Sequence, residues 1–111
     1  MIEGLVYLAS PYSHEDAHVR AWRFHWAAEY AAKLMRDGWM VFSPIAHTHP
    51  IAEFGLPKGW VFWEKFDRLF LDACSGLVVL KLPGWEKSTG IKAEIEYMTD
   101  TGKPIEYHEP Y

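Results

Sequence analysis

The chain has 111 residues, of which 50% are hydrophobic, and 11 Lys and Arg against 15 Asp and Glu give a formal net charge of -4. This length fits one domain over residues 1–111, and the acidic balance argues against binding to the phosphate backbone of a nucleic acid. The single cysteine, Cys74, excludes an internal disulfide. The sequence shows neither the basic start of a secretory signal nor an apolar run long enough for a membrane span, so we expect a cytoplasmic protein that does not bind membranes.

The first part of the chain predicts a strand, a long helix and a second strand. Residues 5–9 form a continuous apolar run that is typical of a buried strand. A helix is predicted from Ser13, a favoured N-cap residue, to about Asp37, and Gly38 ends it. Apolar residues recur at helical spacing along it, namely Ala17, Ala21, Phe24, Ala28, Ala31, Ala32 and Met35.

Residues 39–42 predict a short second strand, which a long loop is expected to follow. Residues 43–57 contain three Pro, one Gly and two His, a composition that favours irregular structure. Loops of this length in compact domains are often functional.

The second part of the chain continues the alternation of strands and helices. A helix is predicted over residues 58–73, a buried strand over 76–82 and a turn over 83–87. Ser88 is expected to cap a helix that runs to about residue 101, and residues 103–107 predict an edge strand. This order predicts a parallel sheet with helices on its faces.

Two segments are expected at the carboxyl edge of that sheet, where open parallel sheets bind ligands. Residues 10–13 (Ser-Pro-Tyr-Ser) follow the first strand, and residues 83–88 follow the third. Each leads into a helix N-terminus, which favours a phosphate or carboxylate group. Ser13 and Ser88 either contact such a ligand or act only as helix caps, and these alternatives stay open.

Glu94 is predicted to face the sheet. Ile91, Tyr97 and Met98 lie three or four positions away from it, whereas Glu96 shares its face with Lys92 and other polar residues. A carboxylate on an apolar face is costly unless it is hydrogen-bonded or its pKa rises. Glu94 is therefore either part of a site or a buried glutamate bonded to a backbone group or a tyrosine.

Asp67 shows the same pattern on the preceding helix, with Trp63, Phe70 and Leu71 at helical spacing. Asp72 is expected to be exposed instead. Two acids in one dry pocket suit cleavage of a glycosidic bond. The alternative for Asp67 is an ion pair with a neighbouring basic residue, Arg68 or Lys65.

His47 and His49 suggest a metal site, since side chains at i and i+2 of an extended loop point the same way. No third ligand stands at a recognisable spacing. Histidines that hydrogen-bond a ligand or fix the loop are the favoured interpretation, and metal-dependent hydrolysis through this pair is kept as a rival. Cys74 is a poor candidate for a nucleophile, because the end of a helix raises the pKa of a thiol, and it is expected in the core instead.

Five ordered elements carry a resemblance to a known family. They are Tyr7–Ser13, Gly38–Pro44, Asp67 ahead of the strand Leu77–Leu80, Ser88–Glu94 with its Ser-x-Gly-x-x-x-Glu pattern, and Gly102–Ile105. The chain resembles the nucleoside 2-deoxyribosyltransferase-like superfamily, which includes the deoxynucleoside 5′-monophosphate N-glycosidases, and within it a compact bacterial and phage branch described as a domain of unknown function. The resemblance implies an α/β fold, a flavodoxin-like or Rossmann-like three-layer sandwich with a four- to five-stranded, mostly parallel sheet.

The resemblance also implies roles for individual residues. Glu94 matches the nucleophile that attacks C1′ of a deoxyribosyl group, Tyr7 the tyrosine that positions it, and Asp67 the acid that contacts the sugar or assists departure of the base. Ser88 matches the site of the 5′-phosphate, and Ser13 lies in the loop on the phosphate side. The full set of predicted substrate-binding residues is Ser10, Pro11, Ser13, His47, Ser88 and Gly90.

The expected ligand is therefore a nucleoside or nucleotide, with no organic cofactor and no metal required. A non-catalytic nucleotide-binding module of the same fold is the alternative. Aromatic residues crowd into residues 54–70, more than one small unit can readily bury. We expect part of this surface to line the pocket and part to form the interface of a homodimer or homotetramer.

Overall fold

Parallel strands form the centre of the computed structural model, which describes residues 1–110. Within this range the sheet has four strands, β1 (Leu5–Ala9), β2 (Met40–Phe42), β3 (Gly76–Leu80) and β4 (Ile105–His108). They lie in the order β2-β1-β3-β4, and every neighbouring pair is parallel. The prediction of an α/β fold with a parallel sheet is confirmed.

The helices cover both faces of the sheet. Helix α1 (Ala17–Arg36) packs on one face, and α3 (Trp60–Ala73) and α4 (Thr89–Asp100) pack on the other. This division follows from the strand order, because the chain first moves from β1 to β2 and then crosses in the opposite direction, and right-handed crossovers place the two sets of helices on opposite faces. The result is the expected three-layer sandwich.

Alternation along β1 separates two cores. Val6 and Leu8 pack with Leu34 of α1, whereas Tyr7 points to the opposite face and packs with Leu71 of α3. The second core also contains Ile91, Met98 and the buried Cys74. Cys74 is therefore a core residue as expected, and its burial raises the pKa of the thiol to about 11.

The expected long loop is wrong over most of its length. Residues 44–52 form helix α2 (Pro44–Ala52), because the Ser43 hydroxyl accepts a hydrogen bond from the Ala46 amide at 3.2 Å and Pro44 occupies the first turn. Proline is well suited to that position since its missing N–H would be unpaired there anyway.

The start of α1 also differs from the prediction. Asp16 caps the helix by accepting a hydrogen bond from the His18 amide at 2.8 Å, so α1 begins at Ala17. Ser13 is not a cap, and its hydroxyl donates to the carbonyl of Lys58 at 2.9 Å. The buried face of the helix is also rotated from the predicted one and consists of Ala27, Tyr30, Ala31 and Leu34.

The strand order places a switch point between β1 and β3, because the chain leaves these neighbouring strands in opposite directions. Open α/β sheets bind ligands in the crevice at such a point, beyond the carboxyl ends of the strands. Among the described residues no helix combines the length and the apolar character needed to cross a bilayer.

Candidate functional site

A cavity of about 540 Å³ opens at this switch point. Its walls come from the segment after β1, from α2, from the starts of α3 and α4, and from the turn before α4. The volume and the lining of this cavity are typical of a small-molecule site. The lining residues are Ser10, Tyr12, Ser13, His14, Arg23, Pro44, Ile45, Thr48, Lys58, Gly59, Trp60, Val61, Trp63, Asp67, Gly84, Lys87, Ser88, Thr89, Gly90, Ile91 and Glu94.

Glu94 lies on the cavity wall and is held by Tyr7 from behind. The Tyr7 hydroxyl donates a hydrogen bond to Glu94 Oε2. Tyr7 is fully buried in the central strand and Glu94 is 5% exposed. This contact matches the resembled family's pairing, and it also matches the alternative of a buried glutamate bonded to a tyrosine. Because Glu94 also lines the cavity, a ligand can reach it, and a purely structural glutamate would not need this access.

Asp67 reaches the same cavity from α3. It is 8% exposed, and its Oδ1 atom has no hydrogen-bond partner within residues 1–110. Burial raises the pKa of Asp67 to about 7, and the nearby Tyr7 hydroxyl opposes this rise. Arg68 pairs with Glu64 at 2.8 Å instead, so its suggested ion pair with Asp67 is wrong.

The two acids affect one another. Burial raises the pKa of Glu94 to about 8; the hydrogen bond from Tyr7 lowers it, and the charge of Asp67 raises it further. Burial and both carboxylates raise the pKa of Tyr7 well above its usual value, which keeps this hydroxyl a donor. Because each carboxylate disfavours ionisation of the other, the two carboxyl groups titrate as a coupled pair.

The acids that were predicted to be exposed are exposed. Glu96 lies on the outer face of α4, and Asp72 accepts a hydrogen bond from the Tyr97 hydroxyl at the surface. The helical spacing of apolar neighbours therefore separated the buried acids from the exposed ones correctly.

Another part of the cavity is positively charged. Arg23, Lys58 and Lys87 line it, as does the N-terminus of α4. The Ser88 hydroxyl accepts a hydrogen bond from the Ile91 amide at 3.2 Å, so Ser88 is both the predicted cap and a wall residue. The N-terminus of a helix among basic side chains favours a phosphate or carboxylate.

Two glycines allow close approaches around this part of the cavity. A Cβ atom at Gly90 would lie 3.4 Å from the Trp60 ring, so the starts of α3 and α4 are in van der Waals contact here. Gly84 has φ of +93°, and a Cβ atom there would lie 2.8 Å from Arg23 Nη2. The same guanidinium donates to the Ser13 carbonyl at 3.0 Å and to the Pro83 carbonyl at 3.4 Å, which ties the loops after β1 and β3 together.

Six of the predicted site residues therefore line the same cavity, and Tyr7 is hydrogen-bonded to one of them, Glu94. These six are Ser10, Ser13, Asp67, Ser88, Gly90 and Glu94. Pro11 is buried beside the cavity, and His47 stacks on Phe66 with ring centroids 5.5 Å apart. Neither is among the described lining residues, so the geometry gives no support to substrate contacts by these two.

The two histidines do not converge on a shared metal position. They lie on helix α2, where residues i and i+2 point in different directions, and not on the extended loop that the prediction assumed. His49 Nδ1 forms a hydrogen bond with the Tyr12 hydroxyl at 2.6 Å, and the His49 ring stacks on Phe24. In the part of the chain that the structure describes, no group of three or more His, Cys, Asp or Glu could hold a metal ion.

Sequence reasoning missed several wall residues, including Thr48, Arg23 and Lys58. Thr48 was missed because its helix was interpreted as a loop. The pair Ser43-Pro44 is a helix-start signal that could have revealed α2, and Thr48 then falls one turn after Pro44. Lys58 and Lys87 each stand shortly before a helix start, a position that could have marked them as anion contacts.

Comparison with known families gives one clear result. The sequence profile of the family described as Domain of unknown function (DUF1937) matches residues 4–109. The chain belongs to the DUF1937 family. No curated protein matches it with significant similarity. Every residue of the cavity lies within the matched range, so the site belongs to this DUF1937 domain.

Proposed function

We propose that this DUF1937 protein cleaves the N-glycosidic bond of a deoxynucleoside, a nucleoside or its 5′-monophosphate through a glutamate nucleophile. One observation carries the proposal. Two buried acids, Asp67 and Glu94, line a cavity large enough for a nucleotide, and the Tyr7 hydroxyl donates a hydrogen bond to Glu94. Buried acids with raised pKa values that face a cavity are candidates for acid–base and nucleophilic chemistry.

In the first step the Glu94 carboxylate attacks C1′ of the sugar. A carbon–oxygen bond to Glu94 forms as the C1′–N bond breaks, and the bonding electron pair leaves with the base. The protonated Asp67 carboxyl gives its proton to the departing base. Tyr7 holds the attacking oxygen in place through its hydrogen bond to Glu94.

In the second step the glycosyl-enzyme intermediate is resolved. A water oxygen bonds to C1′, the bond to Glu94 breaks and returns its electron pair to the carboxylate, and the water proton passes to Asp67. If a second base takes the place of water, its nitrogen bonds to C1′ and the outcome is base exchange. Both outcomes retain the configuration at C1′.

The rest of the cavity supports a nucleotide as the ligand. Arg23, Lys87 and the N-terminus of α4 offer a place for a 5′-phosphate. Trp60 and Trp63 present aromatic rings on which a base can stack. These features agree with the resemblance of the sequence to the deoxyribosyltransferase-like superfamily, which supplies the choice of substrate class.

The decisive experiment is a turnover assay. Purified protein is incubated with a panel of deoxynucleosides and their 5′-monophosphates, with and without an acceptor base, and free base is followed by chromatography. We expect at least one member to be cleaved, and Glu94→Gln to slow cleavage by at least about a thousandfold because the nucleophile is lost.

Glu96→Gln is the matched control, since Glu96 lies on the same helix but faces solvent. It is expected to leave the rate unchanged. Failure of the whole panel, or a Glu94→Gln variant as fast as the wild type, would contradict the proposal. Base exchange without net hydrolysis would identify a transferase.

A second candidate is a nucleotide-binding module without catalysis. One observation favours it: with its pKa raised to about 8, the Glu94 carboxyl is largely protonated near neutral pH when considered alone, and a protonated carboxyl is not a nucleophile. Nucleotides would then raise the Tm of wild type and Glu94→Gln equally, and no free base would appear.

A further inference from the structure

Two residues that line the cavity carry hydroxyl groups that the proposed chemistry does not use. Among residues 1–110 the structure leaves four buried side-chain polar atoms without a hydrogen-bond partner, and three of them line the cavity. One is Asp67 Oδ1, which the proposed chemistry uses. The other two are Ser10 Oγ and Thr48 Oγ1, on residues that are 6% and 7% exposed.

Thr48 is the more informative of the two, because its own helix offers it a partner. A threonine in a helix commonly donates its hydroxyl to the carbonyl four residues earlier. Thr99 and Thr101 do so, to Ile95 at 2.8 Å and to Tyr97 at 3.0 Å. No such bond joins Thr48 to Pro44 in the described structure, so the hydroxyl of this cavity-lining residue has no partner there.

Unpaired buried hydroxyls are unfavourable in a folded protein, so their presence on a cavity wall points to a ligand that pairs with them. A hydroxyl both donates and accepts, and so it can pair with a ring nitrogen, an oxo group or an amino group. The neighbouring wall includes Ile45 and the rings of Trp60 and Trp63, which suit a flat heterocycle.

We propose that Thr48, together with Ser10, reads the hydrogen-bonding edge of the base and so determines which base this site accepts. This inference rests on the proposed function and adds to it a residue that selects among bases. A site built to hydrogen-bond a group on its substrate discriminates strongly against a ligand that lacks the group.

The test compares affinities of the four deoxynucleoside 5′-monophosphates by calorimetry, in the Glu94→Gln background so that the ligand is not consumed. Thr48→Val removes the hydroxyl and keeps the shape of the side chain. We expect it to weaken binding of the preferred nucleotide about tenfold or more and to bring the four affinities closer together. Thr48→Ser, which keeps a hydroxyl, is expected to preserve the preference, and Ser10→Ala to act like Thr48→Val.

Stability gives an independent readout. Because the Thr48 hydroxyl is buried without a partner in the described residues, Thr48→Val is expected to raise the Tm of the ligand-free protein. Thr101→Val removes a hydroxyl that is bonded to its own helix, and it is expected to lower the Tm and leave the affinities unchanged.

The outcomes separate the two proposals. If neither these four nucleotides nor the corresponding deoxynucleosides bind, both the proposed function and this inference fail. If nucleotides bind and Thr48→Val leaves all four affinities unchanged, or lowers them equally together with the Tm, only the inference about Thr48 is overturned.

Discussion

The chemistry proposed for this protein depends on three side chains from three elements. Tyr7 comes from β1, Asp67 from α3 and Glu94 from α4. Each is buried, and burial is the largest cause of the raised pKa of every one of them. The fold thus holds two carboxyl groups in an environment that disfavours ionising both, which is how one of them remains a proton donor at neutral pH.

The pH dependence of the rate follows from these shifts. At acidic pH both carboxyl groups are protonated and there is no nucleophile, whereas at alkaline pH both are ionised and there is no proton for the base. With pKa values of about 7 for Asp67 and about 8 for Glu94, kcat/KM is expected to be bell-shaped with its maximum between these values. Initial rates measured across the pH range give the profile.

A Tyr7→Phe variant tests the origin of the profile. The hydrogen bond that Tyr7 donates lowers the pKa of Glu94, so its loss is expected to move the pH profile to higher pH. A profile without an acidic limb, or one that is identical in the variant, would argue against the assigned roles.

At the residue scale the sequence was informative about Glu94 and Asp67 because their apolar neighbours recur at helical spacing. It was silent about Arg23 and Thr48. Arg23 is notable for the hydrogen bonds that it makes across the fold, and Thr48 for a hydrogen bond that it lacks in the described structure. Neither feature leaves a local pattern in the sequence. The roles of all these residues stay predictions until turnover is measured.

Among the elements, α4 was predicted well and α2 was missed. The Ser88 cap and the glycine at Gly102 gave clear ends to α4. In α2 the starting signal Ser43-Pro44 was outweighed by Pro50, which lies inside the helix, and by the turn residues that follow. Proline within a helix is disfavoured, so packing against α1 and the sheet has to compensate, and packing is not visible in a local window.

The loop before α4 offers a test at this scale. Gly84→Ala would place a Cβ atom 2.8 Å from Arg23 Nη2 on a backbone with φ of +93°. We expect a loss of about 1 kcal/mol or more in the free energy of unfolding, and weaker nucleotide binding because Arg23 is displaced. Denaturant unfolding and calorimetry measure the two effects.

Gly102→Ala is the matched control for this change. Its φ is +73°, and no heavy atom among the described residues lies within 4 Å of the position that a Cβ atom would take there. It carries the same conformational penalty without the contact to Arg23. Equal effects of the two substitutions on binding would show that Arg23 does not link this loop to the site.

For the whole molecule, the alternation of strands and helices was sufficient to predict a parallel sheet, and the structure agrees. The strand order was not predicted, because it depends on pairing between segments far apart in the chain. The cavity follows from that order, so the sequence could predict its position at the carboxyl edge, beside residues 10–13 and 83–88, but not the walls that α1 and α2 add.

The stability of the whole molecule should also depend on pH through Glu94. Its pKa is about 8 in the folded protein against an ordinary value of 4.5, so between these values the folded state keeps a proton that the unfolded state has released. Stability is therefore expected to fall as pH rises through this window and to level off above it.

Glu94→Gln removes this proton-linked loss. Thermal unfolding at a series of pH values is expected to show a smaller fall in Tm for Glu94→Gln than for the wild type, so that the variant is the more stable protein at alkaline pH. Glu96→Gln, at the exposed position, should follow the wild-type curve. Parallel curves for all three proteins would contradict the buried ionisation of Glu94.

The prediction of a homodimer or homotetramer remains a prediction at this scale. Phe54 and Val61 are each 91% exposed, and Phe62 and Leu69 are also exposed. Trp60 and Trp63 line the cavity, as the sequence predicted for part of this aromatic-rich segment.

The central place of β1 affects how the site can move and change. Because β1 pairs with β2 on one side and β3 on the other, the backbone that carries Tyr7 exchanges its amide protons only when the sheet itself comes apart. The helix starts that carry Trp60 and Ser88 can fray without that event. Mutations in these outer walls can therefore alter the accepted ligand while Tyr7 and its hydrogen bond to Glu94 keep the stability of the sheet.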